Sequence, residues 1–317
     1  MGMKKWVAAA VGASMLMSAM SVPVMAEEPI KVGFVIQNQT INYFLSVIQG
    51  IEDHQAEYGI ETQVVDGQSD IEKQIAGVEN LISNEVDCIV ICPDAPEAMV
   101  DVVKDARKAG IPVVSWSEWI DGSNNWLTLD NYQYGYENGT IAANWIKDHF
   151  EDPADAHVMF IYVHGNEQLE QRGKGMMDAV NDICPGVTVS DAQQSGNTTE
   201  DGQTAVENVI QKDPDLNVVV CTNDSVALGA FEAMKAAGKT DEDNCITGCD
   251  ADAENLKNIA AGSIIKGTVD IGAYNQGEKF CKIVLETIEA GADGEMDEPV
   301  FVDFIPVTTE NIGDYVE

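Results

Sequence analysis

Ile30-Lys-Val-Gly-Phe-Val-Ile36 is a short apolar run, and residues 43–58 just after it carry apolar side chains at helical spacing. The same pair of patterns recurs in residues 61–83 and 87–109, and repeatedly after residue 131. Short apolar runs that alternate with amphipathic helices indicate strands that pair in parallel and are buried on both faces. The sequence therefore predicts an α/β fold with mostly parallel sheets and helices on both faces of each sheet.

The chain has 317 residues, a length that suits two domains. Residues 30–116 and 131–269 contain comparable series of strand and helix patterns, so we expect a two-lobed protein. An acidic, glycine-containing turn at residues 290–299 precedes one further predicted strand at residues 300–305. In sheets of this kind, ligands bind beyond the carboxyl ends of the strands.

The N-terminal segment has the features of a signal peptide at residues 1–26. Lys4 and Lys5 precede an apolar run at residues 6–20, and Val24-Met-Ala26 supplies the small side chains of a cleavage site. The run is shorter than the roughly 20 residues that span a bilayer. We therefore expect cleavage after Ala26 and an extracytoplasmic protein, periplasmic or secreted, that does not insert in a membrane.

The charge of the chain excludes one class of partner. There are 17 Lys and Arg residues against 54 Asp and Glu residues, which gives a formal net charge of −37. Nucleic-acid binding depends on cations that neutralise phosphates, and anionic membrane surfaces attract basic segments. The composition therefore argues against both nucleic acid and anionic membranes as partners.

The chain contains seven cysteines. Cys88 and Cys92 lie four residues apart in one predicted strand, and Cys245 and Cys249 in another. Residues at that spacing are about 13 Å apart, whereas a disulfide needs Cα atoms within about 7 Å. We therefore expect buried thiols that act as small hydrophobic side chains. Because the chain has only four histidines, neither a metal site nor a cofactor is predicted.

Aromatic and polar side chains follow the predicted strands. Aromatic rings stack on the C–H faces of sugars, and Asp, Asn and Gln side chains accept from or donate to hydroxyls, so the set favours a small polyhydroxylated ligand. The predicted site residues taken from these positions are Asn42, Tyr43, Phe44, Ser117, Glu118, Trp119, Asn223, Asp250 and Asp270.

Several of these residues have a structural alternative. Asn42 and Asp224 are also suited to cap the helices that follow them. Tyr43, Phe44 and Trp116 are also suited to core packing. The motifs Gly-x-Ser-x-Gly, Gly-x4-Gly-Lys-Ser/Thr and His-Glu-x2-His are absent from the sequence, so no enzyme activity is predicted.

Seven segments of the sequence, taken in their order and spacing, carry a resemblance to a known family. The segments are Lys31-Val-Gly-Phe34, Tyr43-Phe44, Ile111-Pro-Val-Val-Ser115, Leu129-Asp-Asn131 with Gly135, Gln171-Arg-Gly-Lys-Gly175, Thr222-Asn-Asp-Ser-Val-Ala-Leu-Gly229 and Ile246-Thr-Gly-Cys-Asp250. Together they resemble the ribose/galactose-type periplasmic sugar-binding proteins of ABC transporters, over nearly all of residues 30–305.

The resemblance implies a type I periplasmic-binding-protein fold, in which three crossovers join two lobes that close on the ligand. The N-terminal lobe is then expected at residues 27–130 and 272–298, and the C-terminal lobe at residues 131–271 and 299–317. The resemblance further implies a monomer that delivers its ligand to an ABC transporter permease. Two alternatives share the fold: a sensory sugar receptor for chemotaxis or signalling, and the effector-binding half of a transcription regulator. The regulator needs an N-terminal helix-turn-helix and a basic face. This sequence instead has the features of a signal peptide at that place and a strongly negative net charge, which disfavours the regulator.

The resemblance also assigns roles to the site residues. It implies that Tyr43 and Phe44 stack on the sugar and that Asn223 and Asp250 bind its hydroxyls, with Arg172 also in the site. Glu118 and Glu170 fall where the family commonly has arginines, and Ile271 falls where a glutamine is usual. A site rich in carboxylates rejects acidic or phosphorylated sugars. The ligand expected is a neutral sugar or polyol, or alternatively a solute with an amino group whose cation lies over Trp119 or Tyr43.

Overall fold

The computed structural model describes residues 28–240, 242–296 and 298–316, so the predicted signal peptide lies outside the described residues. Twelve strands are found in the described residues: β1 (Ile30–Ile36), β2 (Ile60–Asp66), β3 (Cys88–Ile91), β4 (Val113–Trp116), β5 (Asn125–Thr128), β6 (His157–Tyr162), β7 (Thr188–Ser195), β8 (Val218–Cys221), β9 (Cys245–Thr247), β10 (Ile265–Asp270), β11 (Val300–Phe301) and β12 (Ile305–Thr308). The α-helices of the same residues are α1 (Asn42–His54), α2 (Ile71–Ser83), α3 (Pro96–Lys108), α4 (Asn131–His149), α5 (Glu167–Ile183), α6 (Thr199–Ile210), α7 (Asp224–Ala236), α8 (Ala253–Ala260) and α9 (Ala273–Ala290).

The strands form two six-stranded sheets. The order is β11-β5-β4-β3-β1-β2 in the first sheet and β12-β10-β9-β8-β6-β7 in the second. All pairings are parallel except that of β10 with β12. The central strands β3 and β8 are buried at every residue, as expected when helices cover both faces. The predicted α/β fold with two mostly parallel sheets is confirmed.

The chain passes between the two sheets three times: after β5, after β10 and after β11. Helix α9 follows a strand of the second sheet but packs in the first lobe, where the Phe280 ring lies 5.8 Å from that of Phe34 and 4.7 Å from that of Trp116. Helix α9 therefore belongs to the first lobe, although the strand before it belongs to the second sheet. The lobe boundaries within the three crossing segments remain a proposal.

Two details differ from the sequence-based expectation. The predicted single strand at residues 300–305 is wrong: Val300 and Phe301 pair with Leu127 and Thr128 in the first sheet, whereas β12 belongs to the second. The chain therefore passes from the first sheet to the second between Phe301 and Ile305. Strand β5 is not predicted by the sequence, because Asn125-Trp-Leu-Thr128 mixes polar and apolar side chains and lacks the continuous apolar run found in β3 and β8.

The seven cysteines are all free and buried, which confirms the expectation from their spacing. Burial raises the pKa of each of these thiols. A raised pKa disfavours the reactive thiolate.

Helices α4 and α5 approach closely because both carry glycine at the contact. A Cβ atom on Gly135 would lie 1.9 Å from the Arg172 carbonyl oxygen, and one on Gly175 would lie 2.0 Å from the Tyr132 carbonyl oxygen. No larger residue fits at either position without moving a helix. This close packing fixes Arg172 against the first turn of α4.

Candidate functional site

Arg172 is the centre of the polar cluster in the second lobe. Its residue is only 8% exposed. Its Nε and Nη2 atoms donate to Oδ1 of Asn131 at 3.1 and 2.8 Å, and Nη1 donates to the Thr222 carbonyl oxygen at 3.0 Å. Its guanidinium also lies 4.4 Å from the centre of the Tyr134 ring. Arg172 thereby ties together the ends of β8, α4 and α5 where the chain enters the second lobe.

Tyr134 links this arginine to Asp250. The Tyr134 ring is sandwiched between the Arg172 guanidinium and Phe304, on which it stacks with a centroid separation of 4.8 Å. Its hydroxyl donates to Oδ1 of Asp250 at 2.9 Å. Burial raises the pKa of Tyr134 well above its ordinary value, so the phenol remains a donor at neutral pH. Tyr134 therefore fixes one carboxylate oxygen of Asp250.

Asp250 as a whole residue is exposed, but its carboxylate is surrounded by protein atoms and partly desolvated. This partial burial raises the pKa of Asp250 to about 6, although the nearby Arg172 charge and the Tyr134 hydrogen bond act in the opposite direction. The residue also has a left-handed backbone, with φ of +106°, followed by Ala251 at +54°. Such conformations are unfavourable for residues with a Cβ atom and are held by their surroundings.

The buried carboxylate of Asp224 holds this strained turn. Its Oδ2 accepts from the Asp252 amide at 2.7 Å, and its Oδ1 accepts from the Thr268 hydroxyl at 2.8 Å. The Asp224 amide donates to the Cys249 carbonyl at 2.7 Å. Burial raises the pKa of Asp224 to about 7, and its hydrogen bonds limit the rise. Asp224 is thus a positioning residue for Asp250.

An aromatic wall forms the corresponding part of the first lobe. The Tyr43 hydroxyl donates to Oε1 of Gln276 at 2.7 Å and accepts from Nε1 of Trp116 at 3.1 Å. Tyr43 is half-buried, whereas Phe44 is 3% exposed and supports the Tyr43 and Trp116 rings from behind. The core-packing alternative therefore holds for Phe44 and Trp116, and Tyr43 presents part of its ring to solvent.

The turn after β4 is also locked. Ser117 has φ of +69°, and its carbonyl oxygen accepts from Nε1 of Trp126 at 2.9 Å and from the Thr128 hydroxyl at 2.7 Å. Glu118 is exposed, and Trp119 is 42% exposed with its ring 6.0 Å from that of Trp126. Ser117, Glu118 and Trp119 therefore sit on a rigid turn at the carboxyl end of their strand.

The remaining predicted site residues have defined places. Asn223 donates to the Asn197 side chain at 2.8 Å and caps helix α7 by accepting from Val226 at 2.8 Å. Glu170 is exposed, and its Oε1 accepts from the Gly165 amide at 2.9 Å. Asp270 accepts from the Gly272 amide and the Tyr315 hydroxyl. Their roles toward a ligand remain predictions.

The capping alternatives are wrong for both residues. Helix α1 begins at Asn42 itself, and its N-cap, Ile41, makes no side-chain cap. Asn223 rather than Asp224 caps α7. Asn42 is exposed at the start of α1, next to Tyr43.

Sequence reasoning missed Tyr134, Asn131 and Gln276. Asn131 and Tyr134 stand three positions apart on α4, which places them on one helix face, and the Asp-Asn131…Gly135 segment marked that face. Gln276 has no comparable signal, because its partner Tyr43 is 233 positions away.

The described residues contain no group of three or more His, Cys, Asp or Glu side chains arranged to hold a metal ion. Across the same ranges, no helix has the length and apolar character that crossing a bilayer requires. What the two lobes do offer is an aromatic wall on one side and a carboxylate, amides and an arginine on the other. Such a pairing suits a small neutral molecule with both carbon faces and hydroxyls.

Comparison with known proteins decides the family. A family model described as a periplasmic binding protein domain matches residues 32–292. The chain belongs to this periplasmic binding protein family. A ribose import binding protein, RbsB of Bacillus subtilis, is 30% identical over 72% of both chains. The ABC transporter periplasmic-binding protein YphF of Escherichia coli is 26% identical over 90% of this chain and 88% of its own.

A solved structure agrees with this family assignment. The ABC transporter solute binding protein from Bacillus halodurans with bound myo-inositol has a TM-score of 0.64 and 25% identity, over 91% of this chain and 98% of that one. The sheet order and the three crossings described above agree with the two-lobed fold that the resemblance implies. The resemblance drawn from the sequence is therefore confirmed.

Proposed function

We propose that the protein captures a small sugar or polyol between its two lobes and delivers it to an ABC transporter permease outside the cytoplasm. The observation that carries this proposal is that the second lobe presents Asp250, which Tyr134 holds in place, and the first lobe presents the aromatic wall around Tyr43. A carboxylate with a free oxygen accepts from hydroxyls, and a partly open ring stacks on C–H groups. Contacts from both lobes favour the closed state and shift the population toward it.

The family supports the same proposal. Its relatives are named as ribose import and ABC transporter periplasmic-binding proteins, and one solved neighbour holds myo-inositol. On this basis we propose a binding protein rather than an enzyme, and a monomer that is exported through the segment at residues 1–26. A sensory receptor for chemotaxis or signalling uses the same ligand-binding step.

A thermal-shift and calorimetric screen tests the proposal. The chain from Glu27 onward is measured, free of ligand, against monosaccharides, polyols, amino sugars, polyamines and nucleosides. A ligand that binds only the folded state raises its stability with the logarithm of ligand concentration over Kd. We expect a neutral sugar or polyol to raise Tm. If no compound of the panel raises the Tm of protein shown to be folded, the proposed function is overturned.

A solute with an amino group is the second candidate. Glu118 is exposed beside the exposed ring of Trp119, and neither Glu118 nor Glu170 forms an ion pair in the described structure. A cation is attracted both to carboxylates and to the face of an indole ring. Hits confined to amines in the same screen would favour this candidate.

A further inference from the structure

A cavity of about 160 Å³ lies where the three crossing segments meet the first lobe. Leu129, Ile271 and Val302 line it, one from each crossing segment, together with Tyr43 and Trp116. We call this space the hinge cavity. Its position at the ends of β4, β5 and β10 places it at the base of the proposed ligand site.

The wall of the hinge cavity is made almost entirely of carbon. Its polar side-chain groups mostly face one another: Tyr43 bonds Gln276 and Trp116, and the Thr128 hydroxyl donates to the Ser117 carbonyl at 2.7 Å. The Gln276 Nε2 atom donates to the Ile271 carbonyl at 2.8 Å. A ligand hydroxyl placed inside would lose its water and gain no comparable partner.

The exception is Ser117. It is exposed at the rim, and no hydrogen bond of its hydroxyl is found in the described structure. A ligand hydroxyl is therefore satisfied at the rim but not in the interior of the hinge cavity.

Ile271 joins the hinge cavity to the polar cluster of the second lobe. It lines the cavity and also packs against the buried group that contains Tyr134, Cys249 and Val269. Tyr134 in turn bonds Asp250. A ligand that reaches both features therefore meets carbon on its first-lobe side and hydrogen-bonding groups on its second-lobe side.

We propose that the hinge cavity receives a carbon group of the ligand that bears no hydroxyl, such as a deoxy methyl or an O-methyl group, while the ligand's hydroxyls face Asp250 and Asn223. This inference rests on the proposed function and narrows the ligand class. Burying such a group against the aliphatic lining lowers the free energy of binding. A hydroxyl in its place would weaken binding, because the polar groups of the lining already have hydrogen-bond partners.

Matched ligand pairs test the inference by calorimetry. The probes are hexoses against their 6-deoxy counterparts, and inositols against their mono-O-methyl ethers. We expect at least tenfold tighter binding of the deoxy or methylated member in the pair that binds. Equal or tighter binding of the parent hydroxyl compound overturns the inference but leaves the proposed function intact. No binding by any sugar or polyol overturns both.

A pair of variants at Ile271 gives a second test, because Ile271→Thr and Ile271→Val have nearly the same shape. The valine variant loses the same contact with both members of a ligand pair, so the affinity ratio is expected to hold. The threonine variant adds a hydroxyl to the wall and is expected to reduce the ratio at least threefold. Equal ratios in the two variants, both shown by thermal unfolding to be folded, contradict the inference.

Discussion

The phenol of Tyr134 donates a hydrogen bond of 2.9 Å to Oδ1 of Asp250, although the two residues stand 116 positions apart. The Arg172 guanidinium lies 4.4 Å from the centre of the Tyr134 ring, and its positive charge favours the ionised form of Asp250. The three side chains come from α5, α4 and the turn after β9. Tyr134 and Arg172 therefore hold the Asp250 carboxylate in a fixed orientation, in which it can accept hydrogen bonds from a ligand.

Loss of the Asp250 carboxylate is expected to weaken ligand binding. We predict that Asp250→Ala raises Kd at least tenfold, or about 1.4 kcal/mol, while the chain still folds, because the residue lies at the surface. Tyr134→Phe is the matched control: it keeps the ring stack and frees the carboxylate, so a smaller loss is expected. Unchanged affinity in folded Asp250→Ala, measured by calorimetry, removes this residue from the site.

Ligand affinity is expected to depend on pH near 6. Partial burial raises the pKa of Asp250 to about 6, so the carboxylate accepts hydrogen bonds fully above that pH and loses this capacity as pH falls through it. We predict weaker binding of a neutral sugar at pH 5 than at pH 7.5. Asp250→Asn is expected to flatten this dependence, and a profile that is identical in the variant would point to another group.

Asp224 is expected to make folding stability fall as pH rises. Its pKa is raised to about 7 in the folded chain, whereas an unfolded aspartate titrates near 3.9. Between these values the folded state binds the proton more tightly, so this contribution to stability is present below about pH 4 and is lost as pH rises toward 7.

The Asp224→Asn variant isolates this effect. It removes the ionisation, so its free energy of unfolding is expected to change less between pH 5 and 7.5 than that of the parent chain. Denaturant titrations at the two pH values measure the difference. Parallel changes in both proteins would show that Asp224 does not titrate in this range.

The two exposed glutamates separate the ligand classes. We predict that Glu118→Gln or Glu170→Gln lowers affinity selectively for amine-containing ligands, because the change removes a charge but keeps the shape. Glu170 also accepts from the Gly165 amide, which glutamine can still do through its carbonyl. Equal small losses for neutral and amino ligands in calorimetry would instead indicate simple hydrogen bonding.

The buried thiols are expected to be unreactive in the folded protein. All seven are buried, and burial raises their pKa values. We predict that iodoacetamide leaves the native chain unmodified over an hour at pH 8 and labels all seven positions in denaturant, as mass spectrometry can count. Rapid labelling of one position in native protein would reveal local opening there.

The sequence by itself determined the element order. The alternation of strands and helices that the sequence predicts in residues 61–83 and 87–109 is found there in the structure, as β2, α2, β3 and α3. Apolar spacing and flanking turn residues are local information, so adjacent residues suffice to set them. The cysteine spacing likewise established that the local pairs do not bridge.

Only the tertiary structure decided which side chains form the site. Tyr43 and Gln276 are 233 positions apart, and the Asp224 carboxylate reaches Asp252 and Thr268 across two loops. It also decided that Phe44 supports the wall from behind and that Val300 and Phe301 join the first sheet. These outcomes depend on how distant segments pack against one another, and no periodicity within a short stretch of sequence encodes that.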